Sequence, residues 1–295
     1  MTAGHRLRGN AAALAGTLIW ASAFPATQAL LAHWSPLPLA AARLGLGCLT
    51  MLALAALLRQ LPRWRTVPWR QVCLLGGCGS AGSVLCLITG QSLADPVTAA
   101  AIATSQPLVA AVMGYLAGRE RLHAGQIAGV VLAVAGAMVV SPALQADGPG
   151  FRGGEPLLLL NVILWTWYSR GAGRHLAGLG DLAKGGLTMA VGAAVLVVLS
   201  LLVDLWHPLA VDVGAEALPW LLWMGTVAVG VSVPLWLTAS RLLGVTVASL
   251  HVNLAPFYVI LMGVALGGSV SLRQAAGAAL IGVGAVVAQR RRKTA

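Results

Sequence analysis

Runs of about 20 apolar residues follow one another along almost the whole chain, separated by short polar turns. One such run spans the hydrocarbon core of a bilayer as an α-helix, and no other feature restricts the fold so strongly. Of the 295 residues, 58% are hydrophobic and 9% are charged, against roughly 25% charged in a soluble domain. That is too little charge to coat a soluble surface and too much apolar content for a disordered chain. A span with its turn takes roughly 30 residues, which accommodates about ten spans and no soluble domain. They are placed at about 11–32, 37–58, 71–90, 96–117, 123–141, 156–173, 182–203, 218–238, 245–267 and 273–289. All are expected to be helices, because open sheet edges leave peptide groups unpaired in lipid, and the period-two alternation of a barrel is missing. The basic start followed by an apolar run looks like a signal peptide, but the run of about 22 residues reads as the first span. Pro25, Pro107, Pro234 and Pro256 fall inside spans and are expected to kink them.

The formal charge of +11 does not point to nucleic acid, because the basic residues lie in clusters between apolar runs. Sixteen of the 19 fall on one side of the membrane: Arg6 and Arg8, the loop from Arg59 to Arg70, Arg119 and Arg121, then Arg170, Arg174 and Lys184, Arg241, and the tail Arg290–Lys293. The opposite loops hold only Arg152 and Arg273, and Arg43 lies within span two. Cytoplasmic loops carry the excess of Lys and Arg, so both termini are expected in the cytoplasm of a bacterial inner-membrane, multi-pass protein. Cys48, Cys73, Cys78 and Cys86 sit in apolar segments without a CxxC pair and read as small buried hydrophobes.

Sliding the chain by 149 residues brings the segment from Leu74 onward onto its copy. Gly76 meets Gly225, Ser83 meets Ser232, Pro107 meets Pro256, Gly114 meets Gly263 and Gly118 meets Gly267; after one deletion, Gln126 meets Gln274 and Gly136 meets Gly284. Five spans per half is an odd number, so the second half enters the membrane from the opposite face, an inverted repeat of the kind secondary transporters use. The five-plus-five spans, a tryptophan in the first span of each half, the segment Gly118-Arg119-Glu120-Arg121-Leu122, and Ser105-Gln106-Pro107 with Gln126 to Gly129 resemble the drug/metabolite transporter superfamily, and within it the EamA-type ten-helix exporters. In the second half Gly268-Ser269-Val270-Ser271-Leu272 replaces the acidic turn. The resemblance implies an all-α membrane protein with two five-helix repeats, 8–142 and 153–292, around a central cavity. It also makes an exporter of amino acids, aromatic ones included, the nearest fit.

Six spans carry polar or aromatic stripes: one, three and four, and their repeat partners six, eight and nine. Span one offers Thr17, Trp20, Phe24, Thr27 and Gln28 on one face; span six offers Asn161, Trp165 and Tyr168 at i, i+4, i+7. Ser80 and Ser83 lie in span three, Thr98, Thr104 and Ser105 in span four, Ser232 and Trp236 in span eight, and His251, Asn253 and Tyr258 in span nine. Side chains such as Asn, Gln and His belong against protein or a cavity rather than lipid. The substrate-binding set is therefore read as Trp20, Phe24, Gln28, Ser83, Thr104, Asn161, Trp165, Tyr168, Trp236, His251 and Asn253, with interhelical hydrogen bonding as the competing structural role. Arg43, roughly 9 Å into span two, either snorkels to the outer interface or meets a substrate carboxylate. Spans five and ten carry glycines among Ala and Val with no polar centre; such faces pack within one monomer or make a homodimer. Gly114 with Gly118 and Gly263 with Gly267 read as similar close-packing faces in spans four and nine.

No Asp or Glu lies at mid-membrane, so no carboxylate proton carrier is expected. No triad or metal cluster shares a depth, so no catalytic residue, metal or cofactor is expected. Beyond the bilayer, the expected partner is a small neutral or zwitterionic molecule, and no nucleic acid. A multidrug exporter of hydrophobic compounds and a membrane enzyme acting on lipid are the competing readings. Single cysteines replacing Asp95 and Asp212 should react with an impermeant thiol reagent added outside, and those replacing Arg65 and Gly178 only with one added inside. Opposite labelling within either half contradicts the inverted arrangement.

Overall fold

In the computed structural model, the described residues are 3–94, 96–118, 124–140 and 153–267, with scattered positions between 272 and 287. They are helical wherever they are regular, and no strand occurs among them. We number the helices along the chain. α1 is Ala3–Ala21, continued after Ser22 by Ala23–Leu30. α2 is Pro36–Leu57, α3 Trp69–Leu93 and α4 Pro96–Leu116. α5 is Ala124–Val140 and α6 is Glu155–His175. α7 is Asp181–Asp204, α8 Ala217–Leu243 and α9 Val245–Ala265. Six of these, α2, α3, α4, α7, α8 and α9, are long and apolar enough to cross a membrane. The polar ends of α1 and α6 and the 17 residues of α5 keep those three outside that set. Of the expected tenth span Gly277 and Gly284 are buried, as are Gly129 and Gly136 of α5, but most of it lies outside the described residues. So do Asp95, the turn 119–122, the loop 141–152 and the tail 290–293.

The two halves interleave. α1 packs on α8, α3 on α6, α2 on α7 and α4 on α9, and exchanging the halves maps the first pair onto the second. α2 and α7, which are repeat counterparts, run antiparallel: Gly192 faces Leu44 while Gly185 and Gly186 face Met51. That is the geometry of an inverted duplication. Between lipid-embedded helices there is little hydrophobic gain in association, so van der Waals packing of small residues carries it. Gly76 and Gly225, one repeat apart, show this directly. A Cβ on Gly76 would collide with the Thr188 carbonyl oxygen, and one on Gly225 with the Leu46 side chain. Gly118 and Gly267 do something else. Both have positive φ, 66° and 92°, and no atom within 4 Å of a built Cβ. They terminate α4 and α9 in the left-handed conformation favoured after a helix, which corrects the expectation that they form packing faces.

On the face carrying the basic loops, Asp181 at the start of α7 accepts hydrogen bonds from Lys184 (3.1 Å) and Thr238 (2.9 Å) and pairs with Arg241 (2.9 Å). On the opposite face the α1–α2 turn clasps the α7–α8 loop: Ser35 N donates to Ala210 O at 2.9 Å, and Ala210 N returns a bond to Ser35 Oγ at 2.9 Å.

Five helices depart from regular geometry. α1 breaks at Ser22, three residues before Pro25, whose ring supplies no N–H to the preceding turn. The Ser22 hydroxyl turns back to Ile19 O at 2.6 Å and accepts the Trp223 indole N–H at 2.9 Å. α3 widens to a π-helix over Leu75–Ala81, and α8 does so over Trp223–Val227, one repeat later. α4 tightens at Thr104 and Ser105, whose amides bond three residues back to Ala101 and Ile102, ahead of Pro107. α9 is a 3-10 helix over Ser249–Leu254 ahead of Pro256. If the close α3–α7 and α8–α2 contacts hold the halves together, Gly76→Ala and Gly225→Ala should each cost about 1–3 kcal/mol by overpacking. Gly45→Ala, where a Cβ meets nothing within 4 Å, should be neutral. Thermal denaturation in detergent checks this; equal melting of all three variants contradicts it.

Candidate functional site

One cavity of about 710 Å³, counting its open mouth, lies between the two halves, and the 3-10 stretch of α9 reaches it at Val252. α1, α2, α3, α4, α6, α7, α8 and α9 all contribute to its wall. Three indoles, Trp20, Trp165 and Trp236, face it, together with Val84, Leu87, Val162, Met189, Val229, Val233 and Val252. Its polar groups are Thr17, Arg43, Ser83, Gln106, Asn161 and Ser232.

Each indole is fixed from behind. Trp20 meets Phe24 edge-on at 4.9 Å, and Trp165 lies against Tyr168 at 5.1 Å. Tyr168 is itself fully buried and hydrogen-bonded to the Thr188 hydroxyl at 2.9 Å. Trp236 donates its N–H to Ser169 Oγ at 2.9 Å. The Asn161 amide donates to both the carbonyl and the hydroxyl of Ser83, at 2.9 and 2.8 Å. That bond joins α6 to α3, and it uses the amide's donor end. Ser232 donates its hydroxyl to Ala228 O at 2.5 Å, within the loosened part of α8.

Arg43 is 3% exposed. Its one hydrogen bond is a long one, from Nη1 to Thr27 Oγ1 at 3.5 Å, and its Nε has no partner. It does not snorkel to an interface, because α3, α7 and α8 enclose α2 on its buried side. An uncompensated buried charge costs about 3–5 kcal/mol, so this guanidinium needs a counter-charge that the described protein does not supply. Thr17 Oγ1 and Gln106 Nε2, in the same wall, are also buried without partners.

Of the residues expected to bind substrate, Trp20, Ser83, Asn161, Trp165 and Trp236 line the cavity. Phe24 and Tyr168 stand behind the indoles. Thr104 is buried at the break in α4, bonded to Ala101 O at 2.6 Å. Asn253 is buried at the matching break in α9, its Oδ1 unpaired. His251 is half-buried with Nδ1 3.2 Å from Ala248 O, and Gln28 is exposed; neither reaches the wall. Arg43, Gln106 and Met189 join the wall from outside the expected set. For Arg43 the signal was in its register: Leu39, Ala40, Leu44, Gly47 and Met51 mark the buried face of α2, and Arg43 falls on it.

The wall is flanked on its two sides by contacts that differ in kind. Towards the basic loops, Arg170 donates from α6 to Ala110 O of α4 at 2.6 Å and to Thr246 Oγ1 of α9 at 2.9 Å. Towards the opposite face lies a small apolar cluster, with Phe24, Leu87, Leu158 and Val259 at its centre.

No curated protein sequence matches the chain. A solved crystal structure superposes on it with a TM-score of 0.74 at 24% identity, covering 98% of this chain and 97% of the other, a likeness of fold. The model of the EamA-like transporter family matches twice, over residues 7–141 and 152–289. With nearly the whole chain accounted for by two copies of that repeat, the protein belongs to the EamA-like transporter family and is a multi-pass, helical membrane protein.

Proposed function

We propose that the protein exports small amphipathic metabolites, first among them amino acids with aromatic or bulky apolar side chains, across a bacterial inner membrane. The observation that carries this reading is a single cavity to which both repeats contribute, walled by three propped indoles and neutral polar groups. In this reading ten helices cross the membrane with both termini cytoplasmic, as inverted repeats 8–142 and 153–292. The halves rock about the cavity to expose it alternately to either side. The polar Arg170 contacts close it towards the cytoplasm and the apolar cluster closes it towards the outside. The substrate's side chain stacks between Trp20 and Trp165, and its polar end meets Asn161, Ser83 and the donors opposite.

The charge of the wall weighs against the competing transport reading. An exporter of hydrophobic cations would place its cargo beside Arg43, with no carboxylate in the wall to offset the repulsion. A sugar phosphate would bring two negative charges to one guanidinium. Transport needs no carboxylate proton carrier, so counterflow of labelled substrate should proceed without a pH gradient. In proteoliposomes, aromatic amino acids should exchange faster than glycine. Trp20→Ala and Trp165→Ala should each raise the half-saturating concentration about 2- to 10-fold, corresponding to about 0.5–1.5 kcal/mol per stacked pair. Exchange of sugar phosphates in place of amino acids contradicts the assignment, as do unchanged kinetics in both variants.

A further inference from the structure

We propose that the cavity recognises a carboxylate and an apolar body and does not read an amine: a monoanionic aromatic acid binds at least as tightly as the corresponding amino acid. This rests on the cavity being the transport site, and it changes what that site selects. The wall has one fixed charge. Arginine stays protonated in proteins and offers five N–H donors, of which Arg43 uses one in a 3.5 Å contact. The orphaned polar atoms in the same wall are Arg43 Nε, Gln106 Nε2 and the Thr17 hydroxyl. All three can donate, and a carboxylate is an acceptor of about four lone pairs.

An ammonium finds no such reception. Of the acidic residues among the described ones, Glu155, Asp181, Asp204, Asp212 and Glu216, none lines the cavity. Asp181 is held by Lys184, Thr238 and Arg241, while Asp204 and Glu216 are exposed at loop ends. The Asn161 and Gln106 carbonyl oxygens and hydroxyl lone pairs are the side-chain acceptors left, and all share the cavity with the Arg43 charge. The number of charges is fixed too. One repeat from Arg43, aligning the helix starts Pro36 and Asp181, stands Thr188, a neutral residue whose hydroxyl is bonded to Lys184 O and to Tyr168. An otherwise two-fold scaffold thus presents a single cation, which matches one carboxylate and leaves a dianion half-compensated.

A consequence follows for the driving force. With a monoanion bound the site is neutral, and without it the site carries one positive charge. Each export cycle without a coupled ion therefore moves one negative charge outward. An inside-negative potential of 100 mV favours that movement about 50-fold at equilibrium. The zwitterion moves no net charge.

The test uses three ligands with one aromatic body: 3-phenylpropionate, phenylalanine and phenethylamine. Binding to the full chain is read from tryptophan fluorescence, and flux from proteoliposomes with a potassium-valinomycin potential. The expected order has phenylpropionate at least equal to phenylalanine and phenethylamine more than 10-fold weaker, with only phenylpropionate efflux accelerated by an inside-negative potential. Arg43→Gln should weaken phenylpropionate at least 10-fold, remove its advantage over phenethylamine and leave the melting temperature unchanged or higher. Arg43→Lys should restore part of the selectivity. Phenylalanine transported without phenylpropionate overturns the proposal alone. Failure of all three ligands to bind or move overturns it together with the transport-site reading. Uniform weakening of every ligand by Arg43→Gln, with a lower melting temperature, assigns Arg43 a structural role and also overturns it.

Discussion

Inside a bilayer every peptide group must find its hydrogen bond within the protein, because lipid offers none. Regular helix meets that demand anywhere, whereas broken helix meets it only where neighbouring helices or a polar cavity take over. The departures from regular geometry obey this division. The π segments of α3 and α8 lean on α7 and α2, and the tightened turns of α4 and α9 precede Pro107 and Pro256. Each π segment leads into a cavity serine, Ser83 or Ser232, so the widened turns aim polar side chains inward. The wall takes Val252 from the 3-10 turn of α9, and from α3, α4 and α8 it takes residues that neighbour the irregular stretches.

Duplication explains why these features come in pairs. The antiparallel α2–α7 pair lies at the centre, and the α1–α8 and α3–α6 pairs stand on either side as images of each other. Such a scaffold supplies two equivalent sets of wall residues, and function requires a substrate that is itself asymmetric. The break in symmetry falls at Arg43 and Thr188, which are as far apart in sequence as Trp20 and Trp165. One half brings a charge, and the other brings a hydroxyl bonded to Lys184 O and Tyr168. The symmetry fits the proposed rocking motion, and its local breach gives the site a polarity.

Much of this was legible in the sequence, for identifiable reasons. Apolar run length placed α2 and α7 within a residue or two, because Pro36 and Arg59 bound one run and Asp181 and Asp204 the other. It placed the start of α1 poorly, since the helix continues through His5, Arg6 and Arg8 beyond any apolar signal. The stripes of polar residues pointed to Trp20, Ser83, Asn161, Trp165 and Trp236, which share the wall. They also pointed to Gln28, on the opposite side of a helix broken at Ser22, where regular spacing no longer predicts a face. The π segments left no trace, because a one-residue bulge depends on what packs against it, here α7 on Gly76 and α2 on Gly225. Met189 was passed over because α7 has no polar stripe, and Arg43 stood between snorkelling and a substrate carboxylate because a lone arginine near a helix end fits either until its enclosure is seen.

The central claim is that this one cavity opens in turn to each side of the membrane with the substrate inside it. The most direct measurement is labelling of Thr17→Cys in a chain whose Cys48, Cys73, Cys78 and Cys86 are replaced. An impermeant thiol reagent is applied from either face of sealed membranes, with and without substrate. Thr17 is 3% exposed and its hydroxyl has no partner in the wall, so its accessibility reports opening. The account predicts labelling from both faces and protection by a transported substrate on each. Labelling from one face only, or labelling that substrate does not slow, contradicts it.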